Sequence, residues 1–314
     1  SAISCAIRPT NGLIWVYLSI WFAFNKSLQQ STRLFLHAVI IGSIVIGINI
    51  IIDYFYYGEL TVPIWNFIKF NVTTSLSKFY GVAPWHFHIF QSVPIILLTF
   101  LPIFIYGCFK YPNWQLKLLL AFVIGAFSCI DHKEFRFIYP VQPIMFLITS
   151  SGFYHLNLHH SKIVKYSAYI IIILNTLISL FFTQVHERGV IDVIEYLKYD
   201  PDVESIGFLT PCHSTPWQSY LHRPELQNST WFLTCEPPLH LLNSTNSSKE
   251  VESYMDESDI FYEDPKAFLY QNFPPVFNKH LRSPGREYKY EWPTHLVVFQ
   301  DLEPFISQYL KDSP

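Results

Sequence analysis

The sequence is poor in charged residues. Only 14% of its 314 residues are Asp, Glu, Lys or Arg, and the formal net charge is −3. Such a composition excludes a nucleic-acid binder driven by positive charge, an intrinsically disordered chain and a coiled coil. The sequence contains no internal repeat, and its first residues lack the basic segment and small-residue cleavage site of a signal peptide.

Apolar and aromatic residues are abundant instead. Hydrophobic residues make up 50% of the chain, and Phe, Tyr and Trp together make up 18%. Six segments are apolar enough to be membrane-spanning helices, and the short ones among them need a tilt or an end inside a cavity. The composition therefore predicts a polytopic α-helical membrane domain. The six segments are Gly12–Phe24, Leu34–Ile52, Val93–Phe109, Leu116–Ile130, Phe137–Ser151 and Tyr166–Phe182.

The loops between these segments differ in charge. Alternate loops hold basic residues and no acidic residue, and the positive-inside rule assigns them to the cytoplasm. The remaining loops mix both signs of charge and include Asn71, which begins an Asn-Val-Thr acceptor sequence for N-glycosylation. We therefore expect the second set of loops in the lumen. The basic residues of the first set are Lys26, Arg33, Lys110, Lys117, Lys162 and Lys165.

The composition changes after Phe182. Beyond this residue no apolar run is long enough to span a bilayer, and Pro, His and charged residues become frequent. Helical periodicity over Gly189–Tyr199 and Asp301–Leu310, with short strands between them, predicts a small lumenal α/β domain. The predicted division is residues 1–183 in the membrane and residues 184–314 in the lumen. The predicted strands are Ile206–Thr210, Trp231–Thr234 and His295–Phe299.

Other features of the second half fit a lumenal position. Asn228, Asn243 and Asn246 begin three further acceptor sequences for N-glycosylation. Two cysteines in an oxidising compartment usually pair, so we predict a disulfide between Cys212 and Cys235, which would contribute roughly 3 kcal/mol on the chain-entropy model. The polar segment 242–250 is expected to be an irregular surface loop.

A cluster of ionisable residues lies between two apolar segments, at Asp131–Phe137. Charges at a membrane boundary are costly unless they have partners. If the segment is helical, His132 and Arg136 share one face. Arg and Lys side chains suit a lipid phosphate, and Glu134 could hold them in position or contact a sugar hydroxyl. A solvated turn that only marks a helix end is an equally good interpretation.

Several short motifs resemble one enzyme family. The run His132-Lys133-Glu134-x-Arg136-Phe137 resembles the HKExRF signature of glycosyltransferase family 22, in the GT-C superfamily. The runs Phe79-Tyr80-Gly81 and Pro84-Trp85-His86 are similar to part of that family's second large lumenal loop, and Arg8-Pro9-Thr10 is similar to its RPT element. Residues 211–216 and 256–259 resemble the branch that adds the third mannose of glycosylphosphatidylinositol (GPI) anchors.

The resemblance implies the GT-C fold and an enzyme of the endoplasmic reticulum membrane. It implies an inverting transfer of mannose from dolichyl phosphate mannose to a GPI precursor, as the third mannose and in α1,2 linkage. The expected partners are thus a lipid-linked sugar donor and a glycolipid acceptor. His132, Lys133 and Arg136 would stabilise the leaving phosphate and Glu134 would order them, so that no metal and no other cofactor is demanded.

Three more residues are candidate substrate ligands. Arg8 precedes a Pro in an apolar stretch, which suits a broken helix beside a cavity, and a plain loop is the alternative. Trp85 and His86 would offer an aromatic platform and hydrogen-bond donors for a sugar or a lipid headgroup, or they belong to an interfacial anchor belt. His86 and His88 are a poor zinc signal, because no Cys or carboxylate cluster lies nearby in sequence.

The catalytic base is not identified. The family's acidic catalytic motif lies in its first lumenal loop, and no Asp or Glu of this sequence matches it. We expect the chain to be part of a longer protein whose upstream part supplies the base, and this chain alone to be inactive. Two alternatives remain open: an N-glycan mannosyltransferase of the same family, acting on dolichol-linked oligosaccharide, and a non-catalytic membrane transporter or receptor.

Overall fold

A computed structural model describes residues 1–156, 161–243, 247–276 and 287–312. The described chain is mostly helical and contains one small sheet. Its helices are α1 (Ala2–Ile7), α2 (Gly12–Asn25), α3 (Leu28–Tyr57), α4 (Pro63–Ile68), α5 (Val93–Leu97), α6 (Leu101–Lys110), α7 (Trp114–Ser128), α8 (Gln142–His155), α9 (Lys162–Gln184), α10 (Gly189–Tyr199), α11 (Trp217–Tyr220), α12 (Ser247–Glu252), α13 (Glu257–Glu263), α14 (Pro265–Asn272) and α15 (Glu303–Asp312). Its strands are β1 (Ile206–Phe208), β2 (Thr230–Phe232) and β3 (His295–Val297).

Two compact units make up the chain. The first, called the membrane unit below, contains Ser1–Ile178 and Pro238–Glu252. The second, called the sheet unit, contains Ser179–Pro237 and Ser253–Pro314. The predicted domain boundary at residues 183 and 184 stays a prediction.

Within the described residues, three helical stretches are long and apolar enough to cross a bilayer. They are Leu28–Tyr57, His88–Lys110 and Lys162–Tyr199, and they contain three of the predicted spans. The other three predicted spans fall on the shorter helices α2, α7 and α8. The structure supports a multi-pass membrane protein, and six crossings stay a prediction.

Helix α3 has sequence-coded ends. The Ser27 hydroxyl accepts a hydrogen bond from the Gln30 N–H, and the Gln30 side chain accepts one from the Ser27 N–H. This capping box satisfies N–H groups that have no partner within the helix. The helix ends at Gly58, whose φ of 75° is a left-handed conformation that glycine adopts without strain.

Two glycines allow α6 and α8 to approach closely. A Cβ atom on Gly107 would lie 2.2 Å from the carbonyl oxygen of Ile148, and one on Gly152 would lie 2.4 Å from that of Ile103. Small residues at a helix interface let transmembrane backbones pack directly. The contact fixes α8, whose preceding segment carries the charged cluster.

One predicted loop is wrong in part. Residues 247–252 form α12, which packs against a 3-10 segment at Ser75–Tyr80 of the same unit. Val251 is buried there, and Glu252 lies 4.0 Å from the Lys78 ammonium. The polar sequence has no helical periodicity, so this helix depends on packing that the sequence pattern does not reveal. Residues 244–246 lie outside the described residues.

The sheet unit has the predicted strands and helices. Its sheet is parallel throughout, with strand order β2-β1-β3, so that Ile206 pairs with Thr230 on one side and His295 on the other. The central strand is fully buried and packs on α10 through Ile194 and Leu197. The α/β fold of this unit is confirmed, whereas its lumenal position stays a prediction.

Candidate functional site

The charged cluster lies in the segment that joins α7 and α8. Residues 131–134 have no regular structure, and Phe135–Val141 form a 3-10 helix. His132 and Arg136 therefore do not share a face of an α-helix, and that part of the expectation is wrong. The two side chains meet instead at the carboxylate of Glu134.

Glu134 is the hub of the cluster. Its carboxylate accepts hydrogen bonds from His132 Nε2 at 2.9 Å and from Arg136 Nη2 at 2.8 Å, and it also pairs with Arg136 Nε. Burial raises the pKa of Glu134, but the hydrogen bonds from Arg136 and His132 outweigh it and hold this pKa below its usual value. The same hydrogen bond between Arg136 and Glu134 raises the pKa of Arg136. Glu134 is therefore a carboxylate that orients two donors.

His132 ties the hub to the loop before α5. Its Nδ1 lies 2.9 Å from the carbonyl oxygen of Gly81. This carbonyl and the ionised carboxylate both accept only, so both ring nitrogens are placed to donate. Gly81 has φ 97° and ψ 152°, a conformation essentially restricted to glycine. The glycine in the Phe79-Tyr80-Gly81 motif is thus required by the backbone that presents this carbonyl.

Lys133 points away from Glu134. The residue is 8% exposed, and its Nζ donates to the carbonyl oxygens of Ala83 at 2.7 Å and Ile130 at 2.5 Å. The Ala83 N–H in turn donates to the carbonyl of Asp131 at 3.1 Å. Lys133 and these backbone bonds join residues 130–133 to Ala83 in the loop before α5. The predicted contact of Lys133 with a phosphate stays a prediction.

Arg8 reaches the cluster from the start of the chain. Its Nη2 donates to the carbonyl oxygen of Arg136 at 2.9 Å. Trp85 is 67% exposed, and its ring contacts that of His86 with 5.5 Å between centroids. The loop they occupy touches the cluster one residue further on, where Phe87 packs against Phe135.

The structure therefore brings Arg8, His132, Glu134 and Arg136 together by hydrogen bonds. Trp85 and His86 lie on the neighbouring loop, and Lys133 lies on the buried side of the same segment. The functions of all these residues stay predictions.

A cavity of about 470 Å³ lies in the same unit. Its walls are mainly apolar and include Phe67 from α4 and Ala126 from α7. Ile130 and Phe137, which flank the charged cluster in sequence, also line the cavity. An apolar cavity next to a cationic cluster suits a ligand that joins a hydrocarbon chain to an anionic headgroup.

Sequence motifs indicate the cluster but miss several of its partners. The acceptors are the backbone carbonyls of Gly81 and Ala83, and carbonyls carry no side-chain signature. The nearest sequence signal for these backbone acceptors is Gly81 itself. Thr10 of the RPT element is a further candidate, because the residue lines the cavity and its hydroxyl is buried without a hydrogen-bond partner among the described residues.

The predicted glycosylation sites differ in their surroundings. Asn71 lies in a short π-helical segment, lines the apolar cavity and donates to the carbonyl of Phe67 at 3.0 Å. Asn228 is exposed in a turn of the sheet unit. The Asn243 side chain and Asn246 lie outside the described residues. Modification at all four positions stays a prediction.

Cys212 and Cys235 form a disulfide in the structure. Together with His213 they also bring three potential metal-ligating atoms within 4.8 Å of one another. A sulfur engaged in a disulfide is not the thiolate that binds metal ions. The expectation that the protein needs no metal stays a prediction.

Comparison with known proteins gives the family. The model of the Alg9-like mannosyltransferase family matches residues 1–222, which include every residue of the charged cluster. The chain belongs to this family. A GPI mannosyltransferase 3 from Debaryomyces hansenii is 47% identical over 99% of this chain and 57% of its own length. No solved structure matches.

Other relatives match this chain to a similar extent. The GPI mannosyltransferase 3 of Saccharomyces cerevisiae is 45% identical over 99% of this chain and 54% of its own. A GPI alpha-1,2-mannosyltransferase 3 from Xenopus laevis is 34% identical over 99% of this chain and 54% of its own length. The chain thus spans little more than half the length of the curated relatives it matches.

Proposed function

We propose that this chain is part of an enzyme that transfers mannose from dolichyl phosphate mannose to a GPI precursor. The transfer inverts the anomeric configuration and adds the third mannose in α1,2 linkage. Family membership supports mannosyl transfer, and the names of the relatives favour the GPI acceptor. The observation that carries the proposal is the Arg136–Glu134–His132 cluster beside an apolar cavity.

The cluster suits the leaving group of this reaction. As the bond to the sugar breaks, the dolichyl phosphate gains negative charge, and fixed donors nearby stabilise it. The Arg136 side chain is 64% exposed although two of its nitrogens face Glu134. Its guanidinium can therefore approach a phosphate without losing the carboxylate that orients it. In this proposal fixed cations neutralise the leaving group, so the reaction requires no metal.

The apolar cavity suits the polyprenyl chain of the donor. Its walls are hydrocarbon, and Ile130 and Phe137 bring them to either end of the charged segment. The cavity could hold the first isoprene units while Arg136 contacts the phosphate. The remaining chain would stay in the bilayer.

Glu134 is a poor candidate for the catalytic base. A general base works best with a pKa near the operating pH, whereas the hydrogen bonds to Glu134 lower its pKa. We therefore assign it the orientation of Arg136 and His132. The base is expected elsewhere in the full-length enzyme, in the acidic motif of the first lumenal loop.

The proposed setting is the endoplasmic reticulum membrane, with six spans and the cluster on the lumenal side. The distribution of basic residues among the loops supports this topology. The sheet unit would then be lumenal, where its disulfide is stable. An N-glycan mannosyltransferase of the same family is the alternative, and acceptor identity separates the two.

The test replaces Arg136 in the full-length enzyme. Arg136→Ala should lower mannosyl transfer at least about 100-fold, and Arg136→Lys should restore only part of it, because an ammonium cannot make the two-pronged contact. Cells that depend on the variant should accumulate the GPI intermediate with two mannoses. Arg188→Ala is the matched control, since Arg188 is an exposed arginine paired with Asp192 at 3.0 Å in the sheet unit.

Two results would contradict the proposal. Normal GPI assembly by Arg136→Ala at unchanged protein level would show that the reaction does not need a phosphate contact from Arg136. Accumulation of a truncated dolichol-linked oligosaccharide, with normal GPI anchors, would favour the N-glycan alternative.

A further inference from the structure

The sheet unit contains a second, larger cavity. It has a volume of about 690 Å³ and lies beyond the carboxyl ends of β1 and β3. Thr210 and Ser214, which follow β1, line one side, and Val298 and Gln300, which follow β3, line another. The first turn of α10 closes a third side through Gly189.

The position of this cavity follows from the strand order. The chain leaves β1 for β2 on one side, and β3 then adds to the opposite edge of β1. The direction of strand addition thus reverses between β1 and β3. In open parallel sheets ligands bind at such a switch point, outside the carboxyl ends of the strands, because the loops diverge there and leave a crevice.

The lining combines hydroxyl groups with an apolar wall. Thr210 and Val297 are 4% and 8% exposed and form the deep part, whereas Glu187, His213 and Gln300 are exposed at the mouth.

Two residues at the mouth have unusual backbone conformations. Glu187 has φ 56° and His213 has φ 63°, both left-handed and neither of them glycine. Such conformations are costly and cluster at binding and catalytic sites. Both residues line this one cavity.

The charge of the lining argues against an anionic ligand. No Lys or Arg is among the described residues that line the cavity. Arg188, between Glu187 and Gly189, is engaged by Asp192. A phosphate would therefore meet the Glu187 carboxylate and no fixed cation, whereas hydroxyl, amide, imidazole and carboxylate groups together suit a ligand with many hydroxyls.

We propose that this cavity binds a neutral pyranose unit of a glycan. The hydroxyls of Thr210 and Thr215 and the Gln300 amide would exchange hydrogen bonds with the sugar hydroxyls. The C–H face of the ring would pack on the valines and Phe299, and Glu187 would accept from a hydroxyl at the mouth. The inference does not depend on the transfer chemistry proposed for the membrane unit.

The test measures sugar binding without turnover. The chain is placed in lipid nanodiscs, because the headgroups of maltoside detergents are themselves sugars. Saturation-transfer NMR is recorded with methyl α-mannopyranoside, methyl β-glucopyranoside and inorganic phosphate. We expect saturation of at least one pyranoside, with a Kd of about 1 mM for a single ring, and none of phosphate.

Two variants locate the binding. Gly189→Leu adds a side chain where an added Cβ meets open space at the cavity wall, so it should abolish binding without disturbing the fold. Gln300→Ala should weaken binding about 3- to 10-fold, which is the effect of one lost hydrogen bond. Gln218→Ala, which removes an exposed amide of the same unit outside this cavity, should leave binding unchanged.

The outcomes separate this inference from the function proposed above. Arg136→Ala should keep the sugar signal in full, because the signal comes from the sheet unit. Loss of the signal in Arg136→Ala with retention in Gly189→Leu would place sugar binding in the membrane unit and overturn the inference. Absence of a pyranoside signal, or phosphate binding that Gly189→Leu removes, would also overturn it.

Discussion

The two cavities of this chain differ in what they can hold. The membrane unit has about 470 Å³ of mostly apolar space beside a cluster of two arginines, a histidine and a glutamate. The sheet unit has about 690 Å³ whose apolar wall carries hydroxyl, amide, imidazole and carboxylate groups, with no Lys or Arg among its described lining residues. The first lining suits a lipid phosphate and the second suits an uncharged sugar. Under the two proposals, the linings suit the two chemical parts of a lipid-linked sugar.

Each unit contains a carboxylate that accepts several hydrogen bonds, and the two carboxylates have different surroundings. In the membrane unit, Glu134 holds two side chains that are themselves candidates for ligand contact. In the sheet unit, Glu257 accepts hydrogen bonds from Thr234, Tyr290 and Lys289, and these join α13 to the segment after β2 and to the segment before β3. The same chemistry therefore orients a site in one unit and stabilises the fold in the other.

After Arg136→Ala, Gly81→Ala should give the largest effect, and only on the membrane unit. An alanine cannot hold φ 97° without strain, so the carbonyl that positions His132 would move. A displacement of about 1 Å at a reacting centre can cost about 100-fold in rate, which is the expected loss of mannosyl transfer in the full-length enzyme. Sugar binding by the sheet unit should be unchanged.

The control for this variant is Gly58→Ala. Gly58 also has a positive φ, 75°, and its N–H bonds to Tyr54 at the end of α3, not to the cluster. An alanine costs less there than at Gly81, because the αL conformation is less restricted to glycine. Equal losses of transfer in the two variants would mean that strain anywhere in the unit suffices, and the site argument would fail.

Filling the apolar cavity should have a smaller effect. Gly42 lies in α3 and lines the cavity, and an added Cβ there meets open space. Gly42→Phe should raise the KM for a long-chain polyprenyl donor about tenfold. The effect is modest because a polyprenyl chain gains little hydrophobic free energy on leaving a bilayer that is equally apolar.

A donor with a short polyprenyl chain separates the contribution of the chain to KM from that of the phosphate headgroup. Its KM should be nearly the same in Gly42→Phe and in the unmodified enzyme, because its phosphate contacts are intact. Gly47→Phe is the matched control, since Gly47 lies in the same helix, has the same open space and does not line the cavity. Equal rises in KM for the two donors would show that the cavity does not hold the chain.

The sequence predicts the elements of both units better than their sites. Helical periodicity and short apolar strands suffice for α10, α15 and the sheet, because local pattern and burial agree there. The HKExRF motif likewise indicates which residues form the cluster. The condition of a helix over residues 131–136 is not met, and Lys133 there donates to the backbone carbonyl of Ala83, 50 residues earlier in the sequence. A side chain that bonds to distant backbone overrides a local helical pattern.

The cavities could not be predicted from composition or spacing. The sheet-unit cavity arises because β3 adds to the opposite edge of β1 from β2, and short strands do not reveal their order. The residues His213, Ser214 and Thr215 belong to a run that resembles one family branch, but that resemblance does not indicate a cavity. They line a cavity only because the parallel sheet brings the ends of β1 and β3 together.

The smallest expected effect concerns stability in the sheet unit. Burial raises the pKa of Glu257, but hydrogen bonds from Lys289, Thr234 and Tyr290 outweigh it and hold this pKa below its ordinary value of 4.5. The ionised carboxylate therefore stabilises the folded unit above about pH 4.5, and this contribution is lost as the pH falls through the lower folded value. Glu257→Gln should lower the free energy of unfolding by about 1 kcal/mol at pH 7, the net value of a typical hydrogen bond.

The pH dependence of unfolding is the decisive measurement for the Glu257 carboxylate. Thermal unfolding of the sheet unit, followed by near-UV circular dichroism of its tryptophans, should show the difference between Glu257→Gln and the unmodified chain shrinking below pH 4.5. Mannosyl transfer at neutral pH should change less than in Gly81→Ala, because Glu257 only stabilises its unit. A difference in stability that stays constant down to pH 3 would show that the variant alters packing rather than a charged network. In that case the contrast between an orienting and a stabilising carboxylate would no longer hold.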